Sequence, residues 1–149
     1  MVVQSPDFSR LGVLLASYRE SAESAARAEA WMPAVVMAGA ATEAALLALT
    51  VLCEDDVRAG DAWPRKRRGA EFLSLTELID IALAMSWLED DESCRFLREH
   101  RMLLHPGRVL RDGVEADVAL GPRHWEQARA VLDGAVATLG RVARSMAEG

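Results

Sequence analysis

The feature that most constrains the fold is an almost wholly apolar run at residues 34–53. It is about as long as a membrane span. Much of it is Ala and Gly, which drive membrane insertion only weakly. Glu43 lies in its middle, where a charge is costly in lipid. A helix that is apolar on every side also suits the centre of a bundle, where its neighbours cover it. We therefore predict a buried central helix and no membrane partner.

Apolar residues recur every three to four positions in the other long segments, and this spacing predicts further helices. The first helix is expected from about Asp7, a candidate N-cap, to Ala30. Pro33 suits the first turn of the second helix, which we expect to continue to about Val57. The sequence of this half therefore predicts two long helices in succession.

Three more helices are predicted in the second half of the chain. The pattern Ser74-Leu-Thr-Glu77 is a capping box that opens a helix to about Trp87. The acidic turn at residues 89–92 caps a fourth helix, to about Leu104. Gly121-Pro122 precedes the fifth helix, whose apolar positions form a bundle seam. The seam consists of Trp125, Ala128, Leu132, Ala135, Leu139, Val142 and Met146.

The composition fits one all-α domain over residues 1–149, a bundle of about five helices. A chain of this length can bury a core, and its few aromatic and many alanine residues favour packed helices. The net charge is −6, so the chain as a whole is not a general binder of polyanions. Cys53 and Cys94 lack the spacing of a metal site, and we expect neither a metal nor a cofactor. With no signal peptide evident, a cytoplasmic location is expected.

Arginine and histidine are concentrated near residue 100, beside a helix stop. On a helix Arg98 and Arg101 point the same way, and the last turn adds His105 to this face. Arg95 flanks the same face. Pro106 biases His105 away from helical geometry, so that it should sit at the helix end, within reach of a ligand. The opposite, apolar side carries Phe96, Leu97, His100, Leu103 and Leu104.

This arrangement resembles the signature of the HEPN superfamily (higher eukaryotes and prokaryotes nucleotide-binding), an Arg followed after four to six residues by a His near a helix end. Arg98 and His105 satisfy it, and so do Arg95 and His100, but only the first pair shares a face. The run from Arg98 to His105 is similar to a common variant, Arg-x-x-Arg-Asn-x-hydrophobic-His-Pro, with Met102 in place of Asn.

Two other segments are similar to the same family. The run at residues 34–47 resembles its Gly-small-small-x-Glu-x-x-Leu-Leu helix, and residues 75–82 lie at the expected place between the two motifs. The resemblance covers residues 30–112, while the terminal helices match only in kind. It implies a helical domain that forms a homodimer and binds RNA or a nucleotide. It also implies an antitoxin-like protein as a further partner.

The resemblance further implies ribonuclease chemistry without a metal, of the toxin or defence kind. His105 would accept the proton of a ribose 2′-OH, while Arg98 and Arg101 would stabilise charge on the phosphate. The alternative is that these side chains only close a helix end, where cations are favourable in any case. A second candidate function is a non-catalytic dimeric module that uses the same groove to bind a nucleotide or a protein partner. Met102 favours this second function.

Further basic residues are candidates for nucleic-acid binding. Beside Arg95 these are Arg108 and Arg111 near the motif, and Arg65, Lys66, Arg67 and Arg68 in a long connection that we expect to be mobile. The alternative for the second group is a solvated loop. Trp63 beside it either stacks on a base or anchors the loop.

The sequence also predicts the surroundings of Glu43, of two apolar surfaces and of His124. Glu43, a carboxylate in a buried helix, needs a partner, and Arg98 or Arg101 is the natural candidate. The seam of the fifth helix and the small residues at 39–41 offer apolar surface for a second copy of the chain. His124, at the start of the fifth helix, is expected at the surface.

Overall fold

The computed structural model describes residues 6–100 and 120–149. These residues form six α-helices and no strand, and Ala70–Phe72 form a short 3-10 turn. The predicted all-α helical bundle is therefore confirmed. The helices are α1 (Pro6–Arg27), α2 (Trp31–Leu52), α3 (Glu54–Ala59), α4 (Leu75–Ala84), α5 (Glu92–His100) and α6 (Pro122–Glu148).

The apolar run forms the central helix, α2, as predicted. It packs against α1, α4 and α6, and Leu46 and Leu49 are fully buried. The hydroxyls of Thr42 and Thr50 each donate a hydrogen bond of 2.8 Å to the carbonyl oxygen four residues earlier, which satisfies them inside the core. The most apolar 18 residues of α2 have a mean hydropathy of 2.0, so the helix has the length and composition of a membrane span. However, 67% of this 18-residue stretch is buried inside the fold.

The ends of the first two helices differ from the prediction. α1 begins at Pro6, so Asp7 lies within its first turn rather than at the N-cap. α2 ends at Leu52 rather than near Val57, because the backbone leaves helical geometry at Cys53 (φ −110°, ψ 25°). The new helix α3 then begins with three acidic residues, which are favourable in the first turn of a helix.

A sharp turn joins α1 to α2. The N–H of Ala30 donates to the carbonyl oxygen of Ala25 at 2.9 Å, and that of Glu29 donates to the carbonyl oxygen of Ala26 at 3.0 Å. Glu29 has a positive φ of 56°. These bonds form a Schellman motif, which usually places glycine at the left-handed position. The motif allows α2 to turn back along α1.

α4 ends in the same motif, at Ala84 rather than near Trp87 as predicted. The N–H groups of Trp87 and Ser86 donate to the carbonyl oxygens of Ala82 and Leu83 at 2.8 and 3.2 Å. Ser86 takes the left-handed conformation, with a φ of 59°. The motif turns Trp87 back against the core, where it is half-buried.

The small residues of α2 are covered by the chain itself. Gly39 and Ala41 are buried, and a Cβ placed on Gly39 would lie 3.6 Å from Cδ1 of Leu97 in α5. This contact takes up the small-residue face on which we expected part of the dimer contact, so that face is not free for a second copy.

The seam of α6 is buried from Trp125 to Ala135, and Met146 near its end is 41% exposed.

Candidate nucleic-acid interface

An aspartate cap sets the start of α5, as the acidic turn predicts. Oδ1 of Asp91 accepts a hydrogen bond of 2.9 Å from the N–H of Cys94, and the carbonyl oxygen of Asp91 accepts one of 3.1 Å from the N–H of Arg95. These bonds satisfy N–H groups that the first turn of a helix leaves without partners. The cap therefore fixes the position at which the face with the arginines begins.

α5 separates an apolar face from a cationic one. Phe96 and Leu97 are buried in the core together with Cys94, whereas Arg95 and Arg98 are exposed. The predicted division of the two faces is therefore confirmed along the described length of the helix. The remaining predicted residues of this site, Arg101, His105, Arg108 and Arg111, lie outside the described residues, as does the side chain of His100.

Both exposed arginines of α5 are paired with aspartates. Nη1 of Arg98 lies 2.9 Å from Oδ1 of Asp80 in α4, and Nη1 of Arg95 lies 3.4 Å from Oδ1 of Asp90. The side chains of the first pair are 43% and 45% exposed, and those of the second 59% and 69%. Ion pairs this open to water contribute about 1 kcal/mol or less. Breaking either ion pair would therefore cost little.

Glu43 lies on α2 and is half-buried. Of its two predicted partners, Arg98 forms its ion pair with Asp80. The other, Arg101, falls outside the described residues. Pairing of Glu43 with Arg101 therefore stays a prediction.

Neither cysteine is set up as a nucleophile. Burial raises the pKa of the Cys94 thiol, and the nearby Asp91 and Asp90 raise it further. Burial and then Asp56 raise the pKa of Cys53 in the same way. A raised pKa keeps the thiol protonated and unreactive at neutral pH. Residues 6–100 and 120–149 contain no cluster of His, Cys, Asp and Glu able to hold a metal.

The basic connection after α3 is anchored, although we expected it to be mobile. The Arg58 guanidinium lies over the Trp63 ring, 3.9 Å from its centroid. The same guanidinium donates to the carbonyl oxygen of Arg68 at 2.8 Å, and Nε1 of Trp63 donates to that of Arg67 at 3.0 Å. Trp63 therefore anchors the loop, which was one of its two predicted roles.

Arg67 fastens the same loop to α4. Its Nε lies 3.0 and 3.2 Å from the two carboxylate oxygens of Glu77. Glu77 also completes the predicted capping box, because its Oε1 accepts from the N–H of Ser74 at 3.0 Å while its own N–H donates to the Ser74 hydroxyl. The Arg67 guanidinium is thus held by a carboxylate of the fold.

The other three basic residues of the loop, Arg65, Lys66 and Arg68, are exposed. None of the ion pairs among the described residues includes their side chains. Phe72, which follows them in the 3-10 turn, is 57% exposed. Sequence reasoning missed Phe72, although an aromatic residue a few positions after a basic run is a readable signal.

The prediction that His124 lies at the surface was wrong, because its side chain is half-buried. Its Nδ1 accepts a hydrogen bond of 2.9 Å from the N–H of Gly121. Its ring lies against Phe96, with centroids 5.3 Å apart. Since Nδ1 accepts, the proton of the neutral ring lies on Nε2. His124 therefore caps α6 and ties it to α5, beside a cavity of about 320 Å³ that Arg95 and Arg123 also line.

We compared the chain with protein families, curated proteins and solved structures. No protein-family model, no curated protein and no solved structure matches the chain.

Proposed function

We propose that the chain is a HEPN-like RNA-binding protein that contacts phosphate groups through the cationic face of α5. The observation that supports this proposal is the exposure of Arg95 and Arg98 opposite the buried Phe96 and Leu97. Sequence spacing assigns Arg101 and His105 to the same face. Arginine suits this role because its guanidinium can donate two parallel hydrogen bonds to a phosphate.

In its catalytic form the protein is a metal-independent endoribonuclease. His105 takes the proton of a ribose 2′-OH, and the resulting oxygen attacks the adjacent phosphorus. The bond from phosphorus to the 5′-oxygen breaks, and this leaving oxygen takes up a proton. The products are a 2′,3′-cyclic phosphate and a free 5′-OH. Arg98 and Arg101 stabilise the negative charge that grows on the phosphoryl oxygens.

A homodimer is part of this proposal, because two such motifs would meet over one RNA strand. The C-terminal half of α6 offers the surface for a second copy. There Leu139 and Val142 are half-buried and Met146 is exposed, in contrast to the buried first half of the seam. We expect light scattering at tens of micromolar protein (roughly the range for a modest interface) to give twice the monomer mass. A monomer would contradict this part of the proposal.

The test is incubation of the purified protein with total RNA in the presence of EDTA. We expect the wild type to cleave, and His105→Ala to lose cleavage while it still binds RNA. Arg98→Ala should weaken both binding and cleavage, because the same guanidinium binds the substrate phosphate and stabilises the transition state. Arg27→Ala, which removes an exposed arginine from the last turn of α1, is the matched control. Equal degradation by wild type and His105→Ala would identify the activity as a contaminant.

The second candidate function is a non-catalytic interaction module that binds a nucleotide or a protein partner. The aspartates beside both arginines favour it, because Asp80 and Asp90 compensate the charge that RNA would meet. Met102, where the similar motif has Asn, also favours it. If wild type and His105→Ala both bind RNA with a steep salt dependence and neither cleaves, this second function holds and the catalytic one fails.

A further inference from the structure

The loop between α3 and α4 carries three exposed cations, Arg65, Lys66 and Arg68, and its backbone is held in place by side-chain contacts, which we call the frame. Arg58 and Trp63 form the frame by stacking and by hydrogen bonds to the loop carbonyls, and Arg67 holds it to Glu77. With the loop held in this way, fewer conformations are lost when it binds a ligand. Of the four basic residues, Arg67 therefore stabilises the loop, while Arg65, Lys66 and Arg68 are exposed to water.

An exposed aromatic residue, Phe72, follows these cations in the chain. The N–H of Phe72 donates to the carbonyl oxygen of Gly69 at 3.2 Å, so a single tight turn separates Phe72 from Arg68. Phe72 is 57% exposed and is the only exposed Phe, Tyr or Trp within residues 6–100 and 120–149. Trp63 cannot serve as a stacking platform on the face that Arg58 covers. Phe72 is thus the ring available to a ligand.

We propose that this loop binds single-stranded RNA, with an unpaired base stacked on Phe72 and the adjacent phosphates held by Arg65, Lys66 and Arg68. Aromatic stacking combined with a basic track is the usual way to hold single strands without reading their sequence. A duplex hides its base faces and cannot stack in this way. The inference rests on the proposed function in taking RNA as the ligand, but it places the contact on the loop rather than on α5.

The charges around the loop favour a single strand over a broad anionic surface. Asp61 and Glu71 are exposed in the same connection as the three cations, and Asp55 and Asp56 are exposed in α3 just before it. A flat anionic membrane would meet these carboxylates together with the cations. A flexible strand can follow the cations alone and avoid the carboxylates.

The experiment measures, by anisotropy, binding of a fluorescein-labelled 2′-O-methyl oligouridylate about 12 nucleotides long, to match an ordinary single-strand site. This probe lacks the 2′-OH that the proposed cleavage needs, so it stays intact. We expect Phe72→Leu to bind at least about fivefold more weakly, because it loses the stacked base. Phe72→Trp should bind at least as well as the wild type. Because Phe72 is mostly exposed, neither change should alter the fold, and circular dichroism melting checks this.

The charges are tested by salt dependence. Replacing Arg65, Lys66 and Arg68 with Gln should weaken binding and flatten the plot of log K against log salt by about 2, since each phosphate contact of a single strand contributes about 0.7. Arg27→Gln, which replaces an exposed arginine of α1, is the control and should change binding little. Unchanged affinity and slope in the triple variant would overturn the inference.

Two outcomes separate this inference from the proposed function. If Arg98→Gln loses binding while the loop variants do not, the loop inference fails and the α5 proposal stands. If the loop variants lose binding while Arg98→Gln does not, the loop inference holds and the α5 site fails. Equal binding of a duplex of the same length, or binding of phosphatidylserine vesicles in place of the oligonucleotide, would also overturn the inference.

Discussion

Replacement of Glu77 tests the link between the basic loop and α4. Glu77 accepts from the N–H of Ser74 and pairs with Arg67, so Glu77→Ala removes both interactions. The reciprocal cap contributes about 1 kcal/mol. The ion pair contributes about 1 kcal/mol at most, because the Arg67 side chain is 40% exposed and water screens its charge. We expect Glu77→Ala to lower the free energy of unfolding by about 1–2 kcal/mol.

A second variant separates the charge from the cap. Glu77→Gln keeps an oxygen that can accept from Ser74 but loses the charge opposite Arg67, so its expected loss is about 0.5–1 kcal/mol. Urea unfolding followed by circular dichroism measures these losses. Arg67→Ala, alone and with Glu77→Gln, completes a double-mutant cycle. A coupling energy of zero between Arg67 and Glu77 would refute the idea that this pair holds the loop.

The pH dependence gives an independent test of the same pair. Burial raises the pKa of Glu77, but hydrogen bonds from Ser74 and Arg67 lower it more, so the net pKa is below its ordinary value. A lowered folded-state pKa gives stability that is present above the unfolded pKa, about 4.3, and is lost as pH falls through the folded pKa. The difference between wild type and Glu77→Gln should therefore hold at pH 7 and shrink below about pH 4.

The remaining predictions use the same unfolding assay. Gly39→Ala should raise stability by about 0.5–1 kcal/mol, because its new methyl meets Leu97 at an ordinary contact distance and alanine favours a helix; a loss would contradict this contact. Leu97→Ala should cost about 2–5 kcal/mol, since Leu97 is only 1% exposed. Ser86→Gly should gain up to about 1 kcal/mol by relieving its positive φ, whereas Ser86→Ala should not. His124→Ala should cost about 1 kcal/mol through the lost cap, and an unchanged stability would argue against that cap.

Local rules predicted the starts of helices better than their ends. Ser74 with Glu77 and the acidic turn before α5 could be read directly, because a cap depends on residues close together in sequence. The ends of α1 and α4 could not, since Glu29 and Ser86 occupy left-handed positions that usually take glycine. The apolar run could be placed at the centre because only neighbours on all sides make such a helix stable in water.

The same limit applies to the candidate interface. The two faces of α5 follow from helical periodicity and could be predicted, including the exposure of Arg95 and Arg98. Their pairing with Asp90 and Asp80 could not, because it depends on how α4 and the turn before α5 lie against the helix. The basic loop shows this most clearly. Four adjacent basic residues look alike in sequence, but only Arg67 reaches a carboxylate of α4.

The place of α2 in the chain has a consequence for synthesis on the ribosome. The helix emerges directly after α1, whereas α6, which covers another of its sides, is the last of the described helices to emerge. Domains fold as they emerge from the N-terminus, and uncovered apolar surface promotes aggregation. Until α6 is complete, the nascent chain carries a helix with the hydropathy of a membrane span and only part of its cover. Translation that stops before Pro122 would therefore release a fragment that depends on chaperones to avoid aggregation.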